Sequence, residues 1–321
     1  MNESAEFKDS PRNATRPSVS RRAFLVGGAS TAVAGIAGIA AGIGVGASEV
    51  PPAPRSISSR QRFVDKVVMI TGATSGIGRA IAVASAREGA RVTFCGRREG
   101  LGREVEQQIR SAGGTARYFR ADVRVEADVQ RFVDYTVAQF GRLDVAFNNA
   151  GITLEKPLHE FTAAEWDDVL NTNLRGVFFA MKHEIPVMLS GKGGTIVVTS
   201  SSNAIATQAK RGAYAASKRG LVALVQAAAL EYGPRNIRVN AMLPGTTDTP
   251  LVRRVAGMED VPDAVWHAAA AEWAKSHMPG VGRMANPEEI AEFALMMVSN
   301  EYPFLAGSAL VIDGGKTAQG G

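Results

Sequence analysis

Tyr214 and Lys218 stand four residues apart in the stretch Tyr214-Ala215-Ala216-Ser217-Lys218. Side chains at that spacing share one face of a helix, so a phenol and an amine can point into one site. A free phenol, with a pKa near ~10, is a poor base at neutral pH. An adjacent ammonium stabilises the phenolate and lowers that pKa. Such a pair can pass a proton to a carbonyl oxygen, or take one from an alcohol, as hydrogen arrives at or leaves the carbon. Alone, the same spacing also describes a surface tyrosine lying over a lysine.

A second stretch is built for an anion. Thr71-Gly72-Ala73-Thr74-Ser75-Gly76-Ile77-Gly78 follows the apolar run Val67-Val68-Met69-Ile70 and opens an amphipathic segment. Glycines let the chain turn tightly and come close to a pyrophosphate. The helix that follows presents free N–H groups and a partial positive charge. A glycine pattern between a strand and a helix is the context in which a dinucleotide binds.

The spacing Gly-x-x-x-Gly-x-Gly resembles the glycine motif of the short-chain dehydrogenase/reductase family, and the resemblance runs from about residue 64 to 316. It covers oxoacyl-reductase-like and glucose-dehydrogenase-like members alike. It implies NAD(P)(H) held by Gly72, Thr74, Ser75, Gly76, Ile77 and Gly78, with Asp122 and Val123 flanking the adenine. Asn148-Asn149-Ala150-Gly151 is similar to the family's Asn-Asn-Ala-Gly run, so Asn149, Ala150 and Gly151 line the nicotinamide side. Pro244, Gly245, Thr247 and Thr249 hold the nicotinamide amide, and Asp313-Gly314-Gly315 closes the last strand. Ser201 lies thirteen residues before Tyr214, the family's serine-to-tyrosine spacing; its hydroxyl would hold the substrate oxygen and the developing charge. Asn173, in Asn171-Thr172-Asn173-Leu174-Arg175-Gly176, matches the asparagine that supports a proton relay through Lys218. Tyr214 and Lys218 thus serve both catalysis and cofactor binding. The rival is a non-catalytic dinucleotide-binding protein on the same fold, whose mark would be a damaged tetrad.

NAD enzymes place a carboxylate after the second strand to hold the ribose hydroxyls. Here that place reads Gly96-Arg97-Arg98. A guanidinium there pairs with a 2′-phosphate. The reading favours NADP(H), with Arg97 as clamp and Arg98 or Ser75 assisting, and keeps NAD(H) open.

These residues need a scaffold. Strands are predicted at Val67–Thr71, Arg91–Cys95, Ala116–Arg120, Val145–Asn148, Thr195–Thr199, Ile237–Met242 and Ala309–Ile312. Helices are predicted near 76–88, 99–112, 126–140, 162–189, 213–232 and 286–299. This alternation builds an α/β fold: a single domain with a Rossmann-type, doubly wound, seven-stranded parallel sheet. Residues 246–285 break the rhythm and carry Met258, Trp266, His267, Trp273, His277 and Met278. They form either a substrate lid or a packed helical excursion with buried tryptophans.

Of the 321 residues, 45% are hydrophobic and 21% charged, an ordinary globular composition. The net charge of +5 falls to +3 beyond residue 47, too weak and scattered for nucleic acid. The lone Cys95 cannot form an internal disulfide and reads as a buried hydrophobe. Four scattered histidines suggest no metal site.

Residues 1–47 read as an export segment. Ser20-Arg21-Arg22-Ala23-Phe24-Leu25 precedes a mild Gly/Ala-rich apolar stretch ending in Val45-Gly46-Ala47. The paired arginines resemble the twin-arginine motif, which implies the Tat export machinery as a partner and the periplasm or cell exterior as the destination. Cleavage falls before Ser48; uncleaved, the stretch would anchor the enzyme in the membrane. Residues 48–63 form a linker and 64–321 the catalytic domain. The resemblance implies a homotetramer or homodimer through the helices near 162–189 and 213–232.

Overall fold

A computed structural model describes residues 61–318. The export segment and nearly all of the linker therefore lie outside the described residues. Seven strands, β1 (Val67–Thr71), β2 (Arg91–Gly96), β3 (Thr115–Arg120), β4 (Val145–Asn148), β5 (Gly194–Thr199), β6 (Ile237–Pro244) and β7 (Ala309–Ile312), form one sheet in the order β3-β2-β1-β4-β5-β6-β7. Every pairing is parallel. The connecting helices are α1 (Gly76–Arg87), α2 (Glu99–Ser111), α3 (Glu126–Phe140), α4 (Ala163–Leu170), α5 (Gly176–Ser190), α6 (Gly212–Tyr232), α7 (Pro250–Val255), α8 (Asp263–His277) and α9 (Pro287–Val298).

Period-two alternation divides the core. Val68, Ile70, Phe94, Phe147 and Met242 face the layer of α1, α2 and α9, where Ile81, Ile109 and Leu295 meet them. Their chain neighbours Met69, Cys95, Ala146, Ile196 and Leu243 face α3, α5 and α6, against Phe132, Met181 and Leu221. Cys95 is buried in that second layer, where burial pushes its thiol up to about 12, so it behaves as a small apolar group. Truncating a fully buried residue such as Leu221 to alanine would cost about 2–5 kcal/mol.

Two regions refine the predicted elements. The helix expected near 162–189 begins with a capping box, in which Thr162 and Glu165 satisfy each other's backbone N–H groups. It is then interrupted by a π turn at Asn171–Arg175 before α5 resumes. Residues 246–285 hold α7 and α8, and Trp266, Trp273, Met258 and Met278 form their own buried cluster. Trp266 Nε1 donates to Asp248 Oδ1 at 2.7 Å and ties α8 back to the end of β6.

Strand order reverses between β1 and β4, so the connections leave in opposite directions and open a crevice at their carboxyl ends. Every predicted site residue lies on or just beyond that edge, or on a helix packed over it.

Candidate active site

The cradle forms where β1 turns into α1. Gly72 has φ +70°, and a Cβ there would stand 2.5 Å from the Ala150 Cα. A Cβ on Gly78 would stand 2.4 Å from the Gly72 carbonyl oxygen. Gly76, at φ +55°, begins the helix. Ser75 precedes it without capping it, so the first N–H groups of α1 keep no side-chain acceptor. Thr71 Oγ1 accepts from the backbone N–H of Asn149 (3.1 Å) and Ala150 (3.2 Å), while Asn149 Nδ2 donates to the Gly72 carbonyl at 3.2 Å. These bonds stitch β1 to β4 across the crevice and leave a backbone-lined anion seat.

Beyond the seat lies a cationic end. Arg98 donates to Thr74 Oγ1 at 2.9 Å and to Ser75 Oγ at 2.6 Å. Burial lowers the Arg98 pKa first, and the nearby charges of Arg254 and Arg97 lower it further. Three guanidiniums therefore converge there, Arg254 arriving from α7. Arg97 also lines the cleft, 4.0 Å from Asp122 and with half of its side chain exposed. Arg98 is the more tightly held of the pair. Asp122 is engaged by Arg124, whose hydrogen bonds hold its carboxyl below the usual range. Asp122 and Val123 both line the cleft.

The polar corner lies at the other end. Lys218 is buried and donates from Nζ to the Thr199 carbonyl at 2.7 Å; Ser200 Oγ donates to the Lys218 carbonyl at 2.7 Å. These two bonds clamp α6 onto the end of β5 and give Ser200 a structural task. Ser201 is left facing the cleft, its Oγ accepting from the Asn203 N–H at 3.1 Å. The Lys218 Nζ sits 5.6 Å from the centre of the Tyr214 ring. Burial pushes the Tyr214 phenol up, and the Ser201 hydroxyl and Arg211 guanidinium pull it back. Burial brings Lys218 down to about 8. Burial leaves the phenol above its ordinary value, and the Arg211 guanidinium, which the sequence reading missed, is one of the groups that oppose it.

Asn173 sits in the π turn and is fully buried. Its side chain exchanges two bonds with the Ile152 backbone, N–H to Oδ1 at 2.8 Å and Nδ2 to C=O at 2.9 Å, and Nδ2 also reaches Ser217 Oγ at 3.1 Å. A Cβ on Gly151 would stand 3.3 Å from Asn173 Oδ1 and 3.4 Å from Lys218 Nζ. The glycine thus keeps open the space between the asparagine and the lysine.

Pro244 and Gly245 end β6, and a Cβ on Gly245 would stand 2.6 Å from the Asp313 Cα. Thr246 and Asp248 pair with Ala285, which turns the backbone groups of Thr247 the opposite way. Thr249 Oγ1 caps α7 by accepting from the Val252 N–H at 3.4 Å. One continuous cleft of about 410 Å³ runs from Arg98 to Tyr214 and Lys218 and on to Trp273 and Lys316, with Asn173 buried behind its wall. The clash-free cradle, the uncapped helix start and the cation cluster fit a dinucleotide of the NAD(P)(H) type. Arg254, Arg211 and Lys316 escaped the sequence reading because single cations carry no spacing signal.

A family model described as enoyl-(acyl carrier protein) reductase matches residues 72–317. The A-factor type gamma-butyrolactone 1′-reductase (1S-forming) of Streptomyces virginiae is 40% identical over 260 residues, covering 79% of this chain and 96% of the relative. The cis-4-hydroxycyclohexanecarboxylate dehydrogenase of Sinomonas cyclohexanicum is 39% identical over 259 residues, covering 80% of this chain and 99% of that one. The crystal structure of levodione reductase superposes with a TM-score of 0.75 at 35% identity, over 80% of this chain and all of that one. The chain belongs to the short-chain dehydrogenase/reductase family. It is an oxidoreductase of alcohol and carbonyl carbons, and NAD(P)(H) is the family's cofactor.

Proposed function

We propose that this enzyme interconverts a ketone and a secondary alcohol on a ring compound, prefers NADP(H), and works outside the cytoplasm. The observation that carries the chemistry is the convergence of Ser201, Tyr214 and Lys218 on one cleft beside the glycine cradle, with Asn173 buried behind Gly151 next to Lys218.

The dinucleotide supplies or accepts the hydride. Gly72, Thr74, Ser75, Gly76, Ile77 and Gly78 would hold its pyrophosphate. Asp122 and Val123 would flank the adenine; Asn149 to Gly151, Pro244, Gly245, Thr247 and Thr249 would hold the nicotinamide end. Ser201 orients the substrate oxygen, and Tyr214 passes it a proton in reduction or removes one in oxidation. Lys218 tunes Tyr214 and binds the ribose. Asn173 supports proton delivery to Lys218. The 2′-phosphate would lie among Arg97, Arg98 and Arg254, which supports NADP(H) over NAD(H). The ring class rests on the relative that acts on cis-4-hydroxycyclohexanecarboxylate.

Residues 246–285 serve as the substrate lid: α8 stacks Trp273 beside the cleft while its other contacts anchor the segment. The exposed Phe178 and Leu230 on α5 and α6 support a homodimer or homotetramer through those helices. Residues 1–47 direct export by the twin-arginine route, and 48–63 link them to the catalytic domain.

Oxidation of NADPH in the presence of cyclic ketones, followed at the nicotinamide absorbance, tests the activity. No turnover across ketones, or cyclic alcohols with NADP⁺ and NAD⁺, would refute it. For export, replacing Arg21 and Arg22 together with lysine should leave the enzyme in the cytoplasm; unchanged export would refute that route.

A further inference from the structure

The substrate half of the cleft carries a second pair of cations. Arg211, just before α6, and Lys316, just after the Asp313-Gly314-Gly315 turn, both line the cavity that Tyr214 faces. They stand at the opposite end from Arg97, Arg98 and Arg254. Lys316 is mostly buried, and the only hydrogen bond its ammonium makes among the described residues is a long one, 3.4 Å to Thr246 Oγ1. No carboxylate comes within ion-pair distance of it in the described residues. Asp313, the nearest acid in sequence, accepts from the N–H groups of Gly315 (3.0 Å) and Thr317 (2.8 Å) and so shapes the turn that presents Lys316. Arg211 pairs with Glu155, whose carboxyl burial pushes up. Arg211 thus takes Glu155, and Lys316 is left with only the longer-range pull of Asp313 and Glu155. The same wall holds the Thr153 Oγ1 and Gln208 Oε1 atoms, buried and without a hydrogen-bond partner.

A buried ammonium without an anion is costly, and burial with the charge of Arg211 brings Lys316 down to about 8. An arriving anion would relieve that cost. The dinucleotide's phosphates have their own seat at α1 and their own cations at β2, so the second pair is free for the other reactant.

Resting on the reductase/dehydrogenase reading of this site, we propose that the substrate carries a carboxylate, bound by Lys316 with Arg211 beside it, while its ketone or alcohol faces Ser201 and Tyr214. Charge-assisted hydrogen bonds of this kind discriminate strongly against a neutral analogue.

The test compares 4-hydroxycyclohexanecarboxylate with its carboxamide, using the full-length enzyme and either oxidised cofactor. The acid should show roughly 10- to 100-fold higher kcat/KM, chiefly through KM. Lys316→Gln should shrink that ratio at least about tenfold, and Lys316→Arg should restore much of it. Binding of the unreactive cyclohexanecarboxylate and cyclohexanecarboxamide, read by tryptophan fluorescence, gives the same comparison without turnover. Equal use and equal binding of acid and amide would overturn the inference while leaving the enzyme reading intact. Absence of any turnover, with Lys316-dependent binding of the acid, would overturn the enzyme reading alone. If Lys316→Gln instead raises KM for the dinucleotide and leaves the acid-to-amide ratio unchanged, Lys316 serves the cofactor and the inference fails.

Discussion

Asn148 donates from Nδ2 to Glu184 Oε2 at 2.9 Å, joining the end of β4 to the middle of α5 with both residues buried. The two remaining oxygens, Asn148 Oδ1 and Glu184 Oε1, have no hydrogen-bond partner. A carboxylic acid in place of the carboxylate satisfies both, because its O–H can donate back to the amide oxygen. Burial pushes Glu184 up to about 8, against a smaller opposite pull from Asn148.

That raised pKa fixes the sign of a pH effect. The folded protein favours the protonated acid, so its contribution to stability is complete below the ordinary carboxylate pKa. It is lost as pH rises toward about 8. Glu184→Gln keeps the neutral hydrogen-bonded pair at every pH. Its melting temperature should match the parent near about pH 5 and exceed it at about pH 9 by roughly 5 °C, on the order of 2 kcal/mol. Calorimetry at both pH values checks this, and a constant difference would mean Glu184 is ionised in the fold.

Tyr214→Phe removes the phenolic proton and little volume. kcat should fall roughly 10²- to 10⁴-fold, while the dinucleotide dissociation constant changes less than about threefold. Lys218→Met should weaken both, since Lys218 also reaches the ribose. Steady-state rates and a fluorescence titration separate the two behaviours.

Cofactor preference should follow the three guanidiniums. Arg98→Ala and Arg254→Ala should each raise KM for NADPH about 10-fold or more, with NADH nearly unaffected. If both cofactors weaken equally, the cluster does not read the 2′-phosphate.

Gly72→Ala puts a methyl group 2.5 Å from the Ala150 Cα, on backbone at φ +70°. It should cost about 3 kcal/mol or more and weaken dinucleotide binding at least about tenfold. Gly113, at φ +83° with open space around it, is the control. There the alanine should cost only about 1 kcal/mol of backbone strain and leave binding intact. Thermal melts and cofactor titration of both variants decide the matter.

Much of this was legible in residue order. The alternating apolar runs located all seven strands to within two residues at either end, because a parallel sheet buried on both faces leaves few polar interruptions. The glycine turn and the Tyr214–Lys218 pair depend on local geometry, which spacing encodes directly. The three cations Arg211, Arg254 and Lys316 were invisible, since their meaning depends on segments that the fold brings together across about 40 to 100 residues. The π turn also escaped notice: 162–189 reads as one helix because its apolar period survives the interruption. The pairing of Asn148 with Glu184 was equally hidden, because nothing in sequence shows that residues thirty-six apart will share a buried hydrogen bond.

The widened turn at Asn171–Arg175 holds one residue more than an ordinary helical turn would. Deleting any one of those five would let the rod close up into regular α-helix with its downstream face still in register, because four residues at about 100° each turn as far as the five do now. Phe179 and Met181 would keep their places in the hydrophobic layers and Gly176 its close fit against Val123, while the wide turn that presents Asn173 to the Ile152 backbone would be gone. The protein thus holds a spare residue for the sake of Asn173: a lineage that lost it would keep its interior and forfeit that side chain's grip on Ile152.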